Sequence, residues 1–325
     1  MNAQRTSAGL MAAVALVGLL PGVRAADQSG DRLTVAGFQH PESVAHDTML
    51  DLYLVSNVGE LPPTGFPGAL DHNGFISRVS PDGVILDLKW IQDGANGVTL
   101  NSPKGICLYR RELYVADVDT LRVFDRFTGY PLRNVTIPNP FAPSPPFLND
   151  VVVDNDGTVY LTDNLHSAIF TVDREGRASV LASGPELGNP NGILADESGI
   201  TWVTFFGHEI KRMKRSGKIV TEAALPAVDV SGLELAPGTP LPTGALLLDG
   251  YGRFDGAVLV SSWVTGKIYL VGRSGKDIET VVEVKGAVNS PPPDGPADFN
   301  IDQPRNRLLL PLFNANQLLI IPFKD

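Results

Sequence analysis

A single cysteine, Cys107, is all the thiol chemistry in 325 residues. An intramolecular disulfide framework and a cysteine-rich zinc site are therefore excluded. Histidine is scarce too, at five residues, and His40 and His46 do not stand at the spacing of a helix-borne metal pair. Positive charge is in deficit, with 26 Lys and Arg against 36 Asp and Glu, a net charge of −10. Such a surface repels a phosphate backbone, so no nucleic-acid partner is expected. Past the N-terminal segment no apolar run reaches the ~18 residues that a membrane-spanning helix needs. What the chain does have is 43% apolar residues, enough for a sizeable core, interrupted by 33 Gly and 26 Pro. Both residues break helices, so short Val/Ile/Leu runs between them read as strands.

The first 25 residues read as an address. Arg5 precedes an apolar stretch from Ala8 to Leu20, followed by Pro21-Gly22-Val23-Arg24-Ala25. A positive start, a short apolar centre and small residues at the end describe a secretory signal peptide, with cleavage expected after Ala25. The rival reading is an uncleaved anchor. No cysteine follows the apolar stretch, so lipid attachment is not indicated. The expectation is a periplasmic or secreted protein, not stably inserted in a membrane after cleavage, with residues 26–325 forming one domain.

One short phrase recurs along that domain. A Pro or Leu is followed by a polar or small residue, a second small or acidic residue, and then alternating apolar positions. It reads Pro41-Glu42-Ser43-Val44, Pro103-Lys104-Gly105-Ile106, Leu148-Asn149-Asp150-Val151, Pro190-Asn191-Gly192-Ile193, Pro242-Thr243-Gly244-Ala245 and Pro296-Ala297-Asp298-Phe299. Each interval has room for about four strands of ~5–6 residues with their turns. The third copy is the clearest. Val151–Val153 and Thr158–Thr162 flank the turn Asp154-Asn155-Asp156-Gly157, and Ala168–Val172 and Ala178–Leu181 flank Asp173–Gly176. Asn/Asp/Gly turns between β-branched runs are strong hairpin signals. Four-stranded meanders at this period predict an all-β fold, a six-bladed β-propeller with four-stranded blades. After the sixth phrase only three strands remain, around Phe299–Ile301, Arg307–Pro311 and Leu318–Pro322. The N-terminal strand Leu33–Phe38 supplies the missing fourth and closes the last blade, removing an exposed sheet edge. Tandem β-sandwiches, the competing architecture, explain neither the six phrases nor the three-strand remainder.

Hairpin parity places the phrases and the loops between second and third strands on one face. Those loops start near Asn57, Asp117, Asp163, Phe206, Trp263 and Phe313. The longest, Val58–Asn73, is a candidate partial lid. Two of them carry His166 and His208 to the same rim, and Phe206 and Trp263 are candidates to line a pocket for substrate.

In a closed propeller the phrases converge on the axis. Their second positions are Glu42, Lys104, Asn149, Asn191, Thr243 and Ala297, and Asp150 and Asp298 occupy third positions. Carboxylate and amide oxygens suit a hard cation. Buried carboxylates without a counter-charge are costly, which also favours one. Asn and Asp at strand starts also cap local backbone groups, so any one of these residues reads as structural. It is their shared place in the repeat that singles out Glu42, Asn149 and Asn191.

From about Leu33 to Lys324 the chain resembles the senescence-marker-protein/gluconolactonase (regucalcin-like) family. The carrying segments are Pro41-Glu42-Ser43-Val44, Leu148-Asn149-Asp150-Val151 with Asp154-Asn155-Asp156-Gly157, and Pro190-Asn191-Gly192-Ile193. The ending, Ala297-Asp298-Phe299-Asn300-Ile301-Asp302 through Leu310-Pro311-Leu312-Phe313, is similar to that of a secreted bacterial branch. The resemblance implies one divalent cation on the axis, Ca²⁺ first, with Mg²⁺, Mn²⁺ or Zn²⁺ as alternatives. It also implies hydrolysis of a small-molecule substrate such as a sugar lactone. It maps the metal ligands onto Glu42, Asn149 and Asn191. The family's fourth ligand, an Asp before Gly that also serves as general base, falls on Thr243 before Gly244. A hydroxyl is a poor ligand and cannot be an ordinary base near neutral pH. Candidate replacement bases are Asp150, Asp298, His166 and His208, and Lys104 is a candidate to contact substrate or partly neutralise the ring. Two functions follow: a metal-dependent lactonase-like hydrolase, or a non-catalytic propeller that binds a ligand or protein at its funnel rim. Thr243 is the feature that favours the second.

Overall fold

The turns and phrases set the architecture, seen in a computed structural model that describes residues 24–26, 32–236, 238–284 and 295–323. The apolar stretch of the expected signal peptide lies outside the described residues. Blade one is built from Pro41–Asp47, Leu52–Asn57, Phe75–Val79 and Ile85–Gln92. Blade two uses Pro103–Tyr109, Glu112–Asp117, Thr120–Asp125 and Pro131–Thr136. Blade three uses Leu148–Val153, Val159–Asp163, Ala168–Val172 and Ala178–Ser183. Blade four uses Pro190–Asp196, Gly199–Thr204, Glu209–Lys214 and Ile219–Ala224. Blade five uses Leu248–Phe254, Ala257–Ser262, Lys267–Val271 and Ile278–Glu283. Each is an antiparallel meander. Among the described residues there is no α-helix.

Blade six holds Asn300–Asp302, Arg307–Leu312 and Gln317–Pro322, and its next strand is Leu33–Ala36 from the other end of the chain. Leu33 pairs with Ile320 and Val35 with Leu318. The expected N-terminal closure is therefore what forms. A short further strand, Arg24–Ala26, pairs with Leu33–Val35 at the outer edge. The expected cleavage after Ala25 falls inside it.

Six apolar layers hold the ring, one between each pair of neighbouring blades. Leu54, Ile76, Leu113 and Val115 pack between blades one and two, and Val151, Leu161, Ala116 and Leu121 between two and three. Ile169 and Trp202 lie between three and four, and Val203, Ile210, Val260 and Leu248 between four and five. Leu259, Ile268, Leu308 and Leu310 join five to six, and Tyr53, Val55, Leu309 and Leu318 join six to one. Each fully buried side chain of this kind contributes about 1.5–3 kcal/mol relative to exposure. Cys107 packs only partly buried at the edge of the layer between blades two and three rather than inside it, and burial pushes its thiol up to about 12.

Candidate axial site

The recurring phrase is a β-bulge. In each of the first five blades the innermost strand slips register against its neighbour just after its first residue: between Pro41 and Val44, Pro103 and Ile106, Leu148 and Val151, Pro190 and Ile193, and Leu248 and Tyr251. The two residues inside each slip leave the ladder, so a bulge can aim a side chain that regular pairing would not. In blade six the bridge Pro296–Leu312 followed by Asn300–Leu309 pairing brackets Ala297-Asp298-Phe299 in the same way.

This register corrects the fifth phrase. Its bulge contains Asp249 and Gly250, not Thr243 and Gly244. Pro242 to Ala245 is a local turn, closed by Ala245 N donating to the Pro242 carbonyl at 3.1 Å with Gly244 at φ 76°. Thr243 is exposed on that turn and takes no place in the ring. The proline and glycine that imitated the phrase are there to make the turn. Asp249 was missed because its strand opens with Leu248 rather than proline. Leu248-Asp249-Gly250 follows the pattern of Leu148-Asn149-Asp150, and that was the available signal.

The second positions of the phrases are thus Glu42, Lys104, Asn149, Asn191, Asp249 and Ala297, all buried. Four of them share a further property. Glu42 Oε2, Asn149 Oδ1, Asn191 Oδ1 and Asp249 Oδ1 are buried oxygens without a hydrogen-bond partner among the described residues. A buried polar atom left unpaired costs about 1–3 kcal/mol, more if charged, so four at one repeat position need an explanation. Two carboxylates and two amides form a donor set that fits a hard divalent cation. Among the described residues no three His, Cys, Asp or Glu side chains form a metal-binding group, so the amides are essential to any such set.

The charges show the same need. Burial raises the Glu42 carboxyl well above its ordinary value, and Asp249 and Asp298 nearby raise it further. Burial lifts Asp249 to about 8, opposed by Trp263, whose Nε1 donates to Oδ2 at 2.5 Å. Lys104, its ammonium donating to the Ser102 carbonyl at 3.2 Å and lying 4.4 Å from the Phe147 ring centre, is lowered to about 8 by burial. One lysine cannot balance the acids around it.

The third positions pin the innermost strands together instead of facing the channel. Asp150 Oδ1 accepts from its neighbour Val151 N at 2.7 Å, and Oδ2 accepts from Ile193 N of blade four at 2.8 Å. Burial still carries Asp150 to about 7. Asp298 accepts from the Ser43 hydroxyl of blade one, and burial raises it strongly. Both oxygens of Asp150 are occupied, which leaves it poorly placed as a base. Where no such pin is needed the position is glycine. A Cβ on Gly192 would stand 2.2 Å from the Asp249 carbonyl oxygen, so the strands approach too closely for any side chain.

The remaining candidates lie on the rim. Trp263 touches the ring through Asp249, and its indole lies 5.6 Å from Phe313, itself 4.9 Å from His40. Phe206 packs edge-on against Phe205 in a separate apolar cluster that also includes Trp263. His166 is bonded to Asp163 and Ser144. His208 sits on the loop after the second strand of blade four, and among the described residues no hydrogen bond or ion pair links it to the ring. The long loop from Val58 to Asn73 crosses to blades two and three. Its Phe66 stacks on Phe147 at 5.1 Å, and the Ala69 carbonyl accepts from the Ser102 hydroxyl. The cleft lined by Asp154, Tyr160, Asp196 and Arg215 contains none of these residues.

The sequence matches no protein-family model and no curated protein. Solved structures share the fold. A gluconolactonase from Xanthomonas campestris aligns with a TM-score of 0.59 at 15% identity, over 91% of this chain and 91% of its own. A putative gluconolactonase gives 0.59 at 15%, over 94% and 93%. An inactive histidine-to-alanine variant of virginiamycin B lyase from Staphylococcus aureus, with quinupristin, gives 0.56 at 13%, over 93% and 94%. The class this defines is a six-bladed β-propeller of the architecture found in gluconolactonases and virginiamycin B lyase.

Proposed function

We propose that this protein is an exported, divalent-cation-dependent hydrolase of small cyclic esters, sugar lactones being the substrate class. One observation carries the reading: the four unpartnered oxygens of Glu42, Asn149, Asn191 and Asp249, at the same bulge position of four blades. These residues would hold the cation, Ca²⁺ by preference for an all-oxygen set. When bound, such an ion would polarise an ester carbonyl and offset the charge that burial makes costly. Asp249, oriented by the Trp263 indole that donates to its Oδ2, is the ring carboxylate suited to take a proton from the attacking water once a bound cation offsets the charge. Lys104 donates to the Ser102 carbonyl and, as an ammonium, has further N–H donors to offer a substrate hydroxyl. Trp263, Phe313 and His40 form an aromatic arc beside that base, suited to the apolar face of a sugar ring.

The gluconolactonase neighbours support the substrate class. The non-catalytic rim binder rested on Thr243, and with Asp249 in that place its sequence support is gone. The test is a lactone-hydrolysis panel with EDTA-treated and Ca²⁺-loaded protein. Cation-dependent turnover lost in Asp249→Asn is expected; equal turnover in EDTA would refute the assignment.

A further inference from the structure

Blade three carries a second chemical constellation, on its rim. At the end of the second strand, blades two and three both use a fully buried aspartate to hold the incoming loop. Asp117 accepts from Asn101 N at 3.0 Å and Ser102 N at 2.8 Å; Asp163 accepts from Phe147 N at 3.0 Å and His166 N at 2.9 Å. The blades differ in what faces the carboxylate next. In blade two it is Arg122, whose Nε donates to Asp117 at 2.9 Å. In blade three it is His166, whose Nδ1 lies 2.9 Å from Asp163 Oδ2. Bonding to a carboxylate places the proton on Nδ1 and leaves Nε2 as an acceptor. Nε2 lies 3.0 Å from Ser144 Oγ. Phe141 stacks on the imidazole at 4.5 Å with an interplanar angle of 1°, fixing the ring. Supplying a buried aspartate with a side-chain donor requires only the first of these contacts, as Arg122 shows. The hydroxyl on the far nitrogen and the clamped ring are additions specific to this blade.

We propose that Ser144, His166 and Asp163 form a second hydrolytic centre, a serine-nucleophile relay at the propeller mouth that cleaves carboxylic esters without a metal ion. Ser144 is half-buried and thus reachable, and Phe141 with the exposed Leu165 gives the site an apolar shoulder suited to an acyl or aryl group. In the first half-reaction Ser144 Oγ bonds to the ester carbonyl carbon and its proton passes to His166 Nε2. The ester C–O bond then breaks, and that proton leaves with the alcohol. In the second half a water gives its proton to Nε2 and its oxygen to the acyl carbon, releasing the acid as Ser144 recovers its hydrogen. Asp163 is a positioning residue that holds the imidazole in the required tautomer.

The experiment uses the full chain in EDTA, which separates it from the axial reading. A fluorophosphonate and p-nitrophenyl acetate serve as probes, followed by intact mass and peptide mapping. One adduct on Ser144 is expected, absent in Ser144→Ala and formed roughly a hundredfold more slowly in His166→Gln. A hydrogen-bonded imidazole N–H resonance should persist in Ser144→Ala and vanish in Asp163→Asn; its survival there would remove the role given to Asp163. Because Asp163 also caps a loop, His166→Gln carries the decisive comparison. No adduct on Ser144 from either probe, or an adduct rate indifferent to His166→Gln, overturns the proposal.

Discussion

Replacing Asp249 with asparagine should stabilise the cation-free protein at alkaline pH while weakening its response to calcium. In the fold burial lifts the Asp249 carboxyl to about 8, against an ordinary value of about 4. Between those pH values the folded state binds the extra proton, so stability is full near pH 4 and falls as pH rises towards 8. At 1.36 kcal/mol per pH interval the loss approaches roughly 5 kcal/mol, an upper bound because nearby acids share the strain. Asparagine keeps the shape and can still accept from the Trp263 indole, but never ionises. A ligand at a thousand times its Kd adds about 4 kcal/mol to the native state. For a chain of this size that is roughly 6 °C in Tm. Melting curves of EDTA-treated wild type and Asp249→Asn, at pH 5.5 and 8 with and without 5 mM Ca²⁺, measure both effects. Wild type should lose Tm from pH 5.5 to 8 without cation and regain it with Ca²⁺, while the variant changes less in both comparisons. If Asp249→Asn melts below wild type at pH 8 in EDTA, the claim that the ring carries uncompensated charge is wrong.

Thr243→Asp, on an exposed turn, should change stability by no more than about 0.5 kcal/mol and leave lactone turnover unchanged, as melting and initial rates will show. Gly192→Ala should destabilise by about 3 kcal/mol in denaturant titration, since its Cβ would collide with the Asp249 carbonyl. Lys104→Met should cost the cation-free protein about 3 kcal/mol by removing the ring's amine, and added Ca²⁺ should restore part of the loss. N-terminal sequencing of protein recovered outside the cytoplasm should begin at Ala26; a chain retaining Met1 would refute the signal-peptide reading.

The blade count, the hairpins and the closing strand were legible because each rests on short-range signals. Asp154-Asn155-Asp156-Gly157 can hardly be anything but a turn, and Leu33–Ala36 had no blade of its own. The ring was legible where the bulge began with proline or with Leu148. It was misread at the fifth blade, because a Pro-Thr-Gly turn and the true phrase lie six residues apart and share their local chemistry. What separates them is pairing with Ala257–Ser262, a tertiary fact. The pins Ser43–Asp298 and Asp150–Ile193 were likewise invisible, since a third-position acid reads the same whether it faces a channel or a neighbouring strand. Trp263 reads in the sequence as an aromatic at a strand end, and its hold on Asp249 is a contact that no local signal carries.

The strand Leu33–Ala36 docks between Arg24–Ala26 and Gln317–Pro322, so the first part of the domain to be synthesised is among the last to find its place. Until Leu318 and Ile320 exist, Val35 has no ladder to join and blade six lacks the strand that ties it to the N-terminal one. Contacts across nearly the whole length of a chain carry a large loop-closure entropy and slow the search. Loss of even the final strand should leave Leu33–Ala36 and Arg307–Leu312 with bare edges facing each other across a gap inside blade six. Assembly is thus governed like a clasp, in which neither half has a grip until the other arrives, and a nascent chain stays unlocked until its end has been made.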